Sequence, residues 1–341
     1  MSVAPRAMRR RSVLGRGLGF GLGLAPGLLA LTASREAWAQ AFPKPGKVVR
    51  IVVGFAPGGP TDTQARVLAQ EMTKVLGVSV IVENRPGASG SIGAMEVARA
   101  EPDGHTLMYI SDGVLTQNPH TLKSVQYDAF RDFTPIAQLT AGGVVLVMSP
   151  SVPVASLKEL VSYGKAHPGT LSYASFGTGT VSHIYGEVLR QATGMDLVHV
   201  PYKGSADALK DLLAGRVQLM FDSPSTAAQY VKDGRLKILG SAGDKRRSLM
   251  PDTPTLLELG LPGFEIRGWN GLFGPAKMSD AVLKKLHEAV ATASRTSAFR
   301  NALVTMAFDP VDETPEQFAK VLRRDFDRWG AYVKQARITP E

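Results

Sequence analysis

Four glycine- or serine-rich turns hold most of the residues in this chain whose types and spacing suit chemistry. They lie at 57–62, 86–91, 177–182 and 203–205. The chemistry they suit is the binding of a small anion. In Phe55-Ala-Pro-Gly-Gly-Pro-Thr-Asp-Thr-Gln-Ala-Arg66, Gly58 and Gly59 leave the backbone open where a side chain would block approach. Thr61, with Gln64 three residues on, reads as a capping box. The unpaired N–H groups of a first helical turn and the helix dipole both favour negative charge. A tight, well-capped turn between strand and helix explains the same residues without a ligand, and both readings stand.

The side chains around these turns carry the same two meanings. Asp62 and Asp222 each follow a strand near a helix start, as do Ser111 and Asp112. Capping accounts for all four. Their functional reading is to accept a hydrogen bond from a polar group on a ligand. His183 lies in the first turn of a helix, off its apolar stripe, and reads either as a local hydrogen-bonding partner or as a ligand contact.

Reactive constellations are absent from the pattern. No glycine loop ends in Gly-Lys-Ser or Gly-Lys-Thr, and Gly177-Thr-Gly-Thr-Val-Ser182 lacks the third glycine of a dinucleotide fingerprint. There is no Gly-x-Ser-x-Gly elbow. The six histidines show no paired metal spacing, and there is no cysteine for a thiolate site or a disulfide. The expectation is a binding protein with no cofactor, no metal and no catalytic residue.

The elements that position the turns alternate strand and helix from residue 48 onward, the mark of α/β architecture. Strands are predicted at 48–54, 78–83, 106–111, 171–175, 197–200, 217–221 and 236–241. Helices follow the four turns, with Gly77 and Gly194 as C-terminal stops. Residues 112–134 read as a loop with one short helix. Apolar Val144 to Met148 reads as a crossover between two lobes and Trp269 to Pro275 as the return. Residues 281–295 and 315–334 read as amphipathic helices. Ligands in open α/β sheets bind beyond the carboxyl ends of strands. Two turns precede the crossover and two follow it, as a cleft between lobes requires.

Composition narrows the partners. Arg9-Arg10-Arg11 followed by the apolar, glycine-rich 17–33 and by Ala37-Trp-Ala39 reads as a cleavable export signal over 1–39, twin-arginine-like with Sec export also open. That segment holds six arginines and one glutamate. The remainder therefore has 39 − 6 = 33 bases against 30 − 1 = 29 acids, a net of +4. Such a mild balance suits small anionic ligands and makes no case for nucleic acid.

In the order and spacing of its motifs the chain resembles the extracytoplasmic solute receptors of tripartite tricarboxylate transporters, the Bug (Bordetella uptake gene) group. The matching segments are Phe55 to Asp62, Asn84-Arg-Pro-Gly-Ala-Ser-Gly-Ser-Ile-Gly93, Val200-Pro-Tyr-Lys-Gly204, Phe221-Asp222, and Pro254 to Gly263 followed by Trp269. Thr180 stands where that family often has serine. The resemblance implies a type II-like periplasmic binding-protein fold, with two α/β lobes joined by crossing strands around a ligand cleft. It divides the chain into 40–143 plus 267–341 and 144–266. It implies a small carboxylate held mainly by backbone amides and hydroxyls, two membrane subunits as partners, and a monomeric mature protein in the periplasm. A periplasmic sensor and a carboxylate-processing enzyme are the alternatives. The expected ligand contacts are Phe55, Pro57, Gly58, Gly59, Thr61 and Asp62 from the first turn, and Ala88 and Ser89 from the second. Ser111 and Asp112 follow the third strand. Thr178, Gly179, Thr180 and His183, then Tyr202, Lys203 and Gly204, and finally Asp222 complete the set.

If Arg10-Arg11 directs twin-arginine export, replacing both by lysine blocks accumulation of the mature chain in the periplasm. Undiminished accumulation would assign the signal to the Sec route.

Overall fold

The computed structural model describes residues 42–340; the export signal expected over 1–39 lies outside them. Two β-sheets organise the described residues. The first contains β1 (Val49–Val53), β2 (Val80–Asn84), β3 (Thr106–Ser111), β4 (Phe133–Ala141), β10 (Trp269–Pro275) and β11 (Asp309–Pro310), in the order β11-β4-β10-β3-β1-β2. The second contains β5 (Val145–Met148), β6 (Leu171–Ser175), β7 (Leu197–Pro201), β8 (Leu219–Asp222) and β9 (Lys237–Ser241), in the order β7-β6-β8-β5-β9. β1 runs parallel to β2 and β3, and β6 runs parallel to β7 and β8. Each parallel set therefore ends its strands along one edge, where turns and helix starts collect. β10 and β5 run antiparallel to their neighbours, because each enters its sheet directly from the other one.

The helices are α1 (Pro60–Leu76), α2 (Ser91–Ala98), α3 (Asp112–Thr116), α4 (Asn118–Thr121), α5 (Leu157–Ala166) and α6 (Val181–Thr193), then α7 (Ser205–Leu213), α8 (Pro224–Lys232), α9 (Asp280–Ser294), α10 (Ser297–Thr305) and α11 (Pro315–Gln335). α1 buries Ala65, Leu68, Ala69 and Met72 and stops where Gly77 takes a left-handed φ of 68° and donates to Thr73 O. α6 ends the same way at Gly194. Among the described residues no helix is long and apolar enough to cross a membrane.

The two passages between sheets lie side by side, with the Gly142 N–H donating to Gly268 O. α11 ties the sheets together a second time. It opens on a capping box formed by Thr314 and Gln317. Its first half buries Phe318 and Leu322 with Trp269 and Phe273 beneath the first sheet. Its second half buries Trp329 and Val333 with Tyr185 and Phe264 beneath the second. The Phe318 ring meets Trp269 edge-on at 5.0 Å, and Trp329 meets Tyr185 at 5.1 Å. A third tie is ionic: Arg267 donates to the buried Asp309 carboxylate of β11 at 2.7 Å.

Several expectations change. Residues 112–134 contain two short helices, α3 and α4, and β4 begins at Phe133 within that stretch. Residues 145–148 are a strand inside the second sheet, so the passage lies just before them. The capping box at Thr61 does not form. Pro60 occupies the first helical position, Gly59 becomes the N-cap, and no side chain caps it. Gln64 instead turns inward, accepting from Tyr109 Oη at 2.8 Å and from Asn270 Nδ2 at 2.6 Å.

Phe318 is fully buried, and its ring packs on Trp269 and Phe273 of β10 at 5.0 and 4.9 Å. Phe318→Ala is expected to lower stability by about 3–5 kcal/mol, read as a lower denaturant midpoint. A loss under about 1 kcal/mol would show that α11 does not anchor the first sheet.

Candidate functional site

A cavity of about 490 Å³ lies between the carboxyl edges of the two parallel strand sets. The first sheet supplies Phe55, Pro60 and Thr61 after β1, Ser89 after β2, and Ser111 and Asp112 after β3. The second supplies Phe176, Thr178, Gly179 and Thr180 after β6 and Ser223 after β8. The passages add Gly143 and Gly268, β10 adds Trp269 and Asn270, since 269–275, expected as the return passage, is a strand of the first sheet, and α11 adds Trp329.

Three helices begin on this wall. α1 starts at Pro60-Thr61, α6 at Val181 behind Thr180, and α8 at Pro224 behind Ser223. None has a side-chain cap on its first-turn amides. Each helix start leaves N–H groups without an intrahelical carbonyl, so the wall carries partial positive charge from backbone alone. Among the described residues no Lys, Arg or His side chain lines the cavity. Asp112 is the one carboxylate on the wall, and it makes no ion pair with any described residue. Burial first, then the neighbouring Asp325 charge, push its pKa up to about 7 against the pull of the Gly113 and Trp269 amides. Asp325, on α11, is fully buried, bonded to Arg324 Nε at 2.8 Å and to Trp269 Nε1 at 3.0 Å.

The structure brings together Phe55, Thr61, Ser89, Ser111, Asp112, Thr178, Gly179 and Thr180 from the expected set. Ser111 is the N-cap of α3 but makes no side-chain cap bond, whereas the Asp112 carboxyl accepts from the Gly113 amide in the first turn of α3, and both residues line the cavity. Ser89 holds a left-handed φ of 51° on the wall, with its carbonyl fixed by Asn118 Nδ2 at 2.9 Å. Ala88 beside it is exposed and off the wall.

The rest of that set stands behind or beside the wall. Pro57 and Gly58 are exposed, and a Cβ at Gly58 or Gly59 would enter open space, so no close approach demands glycine there. The demanding position is Gly54, where a Cβ would sit 2.7 Å from Gly90 O and push the first two turns apart. Asp62 is buried and fully engaged. It accepts from the Gly58 amide, Arg66 Nε and Asn84 Nδ2 at 2.8–2.9 Å. Burial works to raise its pKa, but these donors outweigh it and hold the carboxyl below its ordinary value.

His183 Nδ1 accepts from the Gly179 amide at 3.0 Å and its ring stacks on His199 at 4.0 Å, so it braces the 177–180 turn. Burial, then the His183 charge, depress His199 to about 4. Tyr202, Lys203 and Gly204 follow β7, the edge strand, and sit off the cavity. Tyr202 donates to Asp211 and Lys203 is exposed. Asp222 lies buried behind Ser223, accepting from the Ser223 amide at 2.7 Å and Ser205 Oγ at 3.1 Å, which joins the starts of α7 and α8.

Sequence reasoning missed Asn118, Asn270, Phe308 and Trp329. Their local patterns are those of ordinary core residues. Asn270 and Trp329 reach the cavity through β10 and α11, Asn118 through α4 and Phe308 through the turn before β11.

The comparisons agree with this geometry. The chain matches the sequence model of the tripartite tricarboxylate transporter family receptor over residues 64–338. The protein BugT of Bordetella pertussis is 30% identical over 310 residues, 91% of this chain and 95% of BugT. MatC of Rhodopseudomonas palustris, solved with bound malate, is 35% identical with a TM-score of 0.70, covering 85% of this chain and 100% of that one. A second R. palustris structure, solved with adipate, is 30% identical with a TM-score of 0.74, covering 87% and 99%. The chain belongs to the tripartite tricarboxylate transporter receptor family, in its Bug group.

Proposed function

We propose that this chain is a periplasmic solute receptor that captures a small carboxylate in the cavity and delivers it to the two membrane subunits of a tripartite tricarboxylate-type transporter. The observation that carries the reading is the cavity wall itself. Three uncapped helix starts and a ring of hydroxyls and amides surround a space of about 490 Å³ without a cationic side chain. Backbone N–H groups hold anions in such places. The relatives solved with malate and with adipate support a carboxylate as the class. The contacts we assign are Phe55, Thr61, Ser89, Ser111, Asp112, Thr178, Gly179 and Thr180. We assign 40–143 and 144–266 to different lobes, with 267–341 returning to the first and α11 reaching across to the second. The mature protein works as a monomer in the periplasm.

Occupancy drives lobe closure in this reading. A ligand that touches Thr61 and Ser89 on one side and Thr178 and Thr180 on the other favours the form that makes both sets of contacts. The 177–180 turn already approaches α4: a Cβ on Gly179 would lie 3.0 Å from Thr121 Cβ.

Two measurements check the proposal. Thermal-shift screening of the mature protein against mono-, di- and tricarboxylates is expected to give a concentration-dependent rise in Tm with at least one class. No shift at millimolar concentration from any would contradict the carboxylate reading. Small-angle scattering at saturation with that ligand is expected to show a smaller radius of gyration than the empty protein. An unchanged radius would assign the cavity to a preformed, rigid pocket.

A further inference from the structure

The cavity wall carries charge of both signs. Around Thr61, Thr180 and Ser223 the wall is made of helix starts and favours an anion. Around Asp112 it is made of carboxylate. The elements packed around Asp112 supply no compensating charge among the described residues. α11 presents Asp325, a second carboxyl, with Arg324 behind it already bonded to that same Asp325. β10 presents the Trp269 backbone amide, and α3 presents the Gly113 amide. α4 presents the uncharged Asn118. α6 presents Tyr185, whose hydroxyl donates to Ile266 O and whose pKa burial holds well above the ordinary value. The passage contributes Gly268, whose Cβ position would lie 3.7 Å from Asp112 Oδ1. Two carboxyls thus share this end, and neither Lys, Arg nor His reaches the wall to balance Asp112 among the described residues.

We propose that Asp112 is the counter-ion for a protonated nitrogen on the ligand, so that the cavity selects small carboxylates that also carry an ammonium group over simple mono- and dicarboxylates. This rests on the carboxylate reading above and narrows it. An ammonium at Asp112 gives a charge-assisted hydrogen bond in a partly desolvated place. A second carboxylate at the same spot meets Asp112 and Asp325 with like charge.

Proton exchange on binding gives this a sign. In the empty cavity Asp112 titrates at about 7, so near neutral pH it carries a proton part of the time. An ammonium beside it favours the charged carboxylate, lowers the pKa and releases that proton. A carboxylate beside it raises the pKa and draws a proton in.

The test is titration calorimetry of the mature protein at pH 7, in buffers of different ionisation enthalpy, with matched probes: glutamate against glutarate, aspartate against succinate, 4-aminobutyrate against butyrate, and butylamine alone. The amino-bearing member of at least one pair is expected to bind about tenfold tighter or better, with net proton release. Asp112→Asn is expected to remove both the preference and the release. The wild-type comparison stands alone if that variant does not fold. Equal or tighter binding of the deaminated partner, with proton uptake, would overturn the role of Asp112 and leave the carboxylate reading standing. Binding of butylamine as tight as 4-aminobutyrate, lost in Asp112→Asn, would keep Asp112 as counter-ion and overturn the carboxylate reading. Binding by none of the probes would reject both.

Discussion

An anion held where no cationic side chain reaches must draw its stabilisation from the backbone. That constraint organises the whole described chain. Amide N–H groups supply it only where a helix begins and its first-turn donors have no carbonyl partner. The donors converge only if several helices begin along one line. Parallel strands guarantee such a line, because each strand ends at the same edge and hands over to a helix there. β1 and β6 each do this, and the two edges face one another across the cavity. The polar side chains behind the wall then serve the turns. Asp62 anchors the Gly58 amide, His183 the Gly179 amide and Asp222 the Ser223 amide. Each holds an amide of the turn that precedes its helix.

The two sheets are held in register by the paired passages and by α11. At the crossing the Gly142 N–H donates to Gly268 O, and a Cβ at Gly142 would meet the Phe308 ring at 2.6 Å. α11 spans both cores, with Phe318 and Leu322 at one end and Trp329 and Val333 at the other. Between them sits Asp325, bonded to Trp269 at the start of β10. Under the proposed closure, the motion would turn about the passages and the middle of α11 together, beside Trp269 on the wall.

Much of the framework was legible in the sequence because it rests on local pattern. β3 and β6 show the expected bounds, and α1 and α6 end at the expected glycines. β4 was not legible: Phe-Thr-Pro-Ile-Ala-Gln-Leu-Thr-Ala places Pro135 and Gln138 in what becomes a buried strand, and only pairing with β10 offsets them. The Thr61 capping box failed because the helix starts at Pro60, two positions earlier than a threonine N-cap would place it. At the site, Ser89, Ser111, Asp112, Thr178 and Thr180 follow from their places after strands. Trp269 was visible as part of a return passage and Trp329 as part of an amphipathic helix, and nothing local shows that both meet one cavity. Gly58 and Gly59 drew attention as glycines, yet the steric demand falls on Gly54 and Gly90, where two turns touch.

The most direct measurement is a crystal structure of the mature protein with a carboxylate ligand bound. The account predicts carboxylate oxygens within hydrogen-bond distance of first-turn amides of α1, α6 or α8, with no Lys or Arg side chain paired to them. A carboxylate paired to a lysine or arginine, or seated outside this cavity, would contradict it.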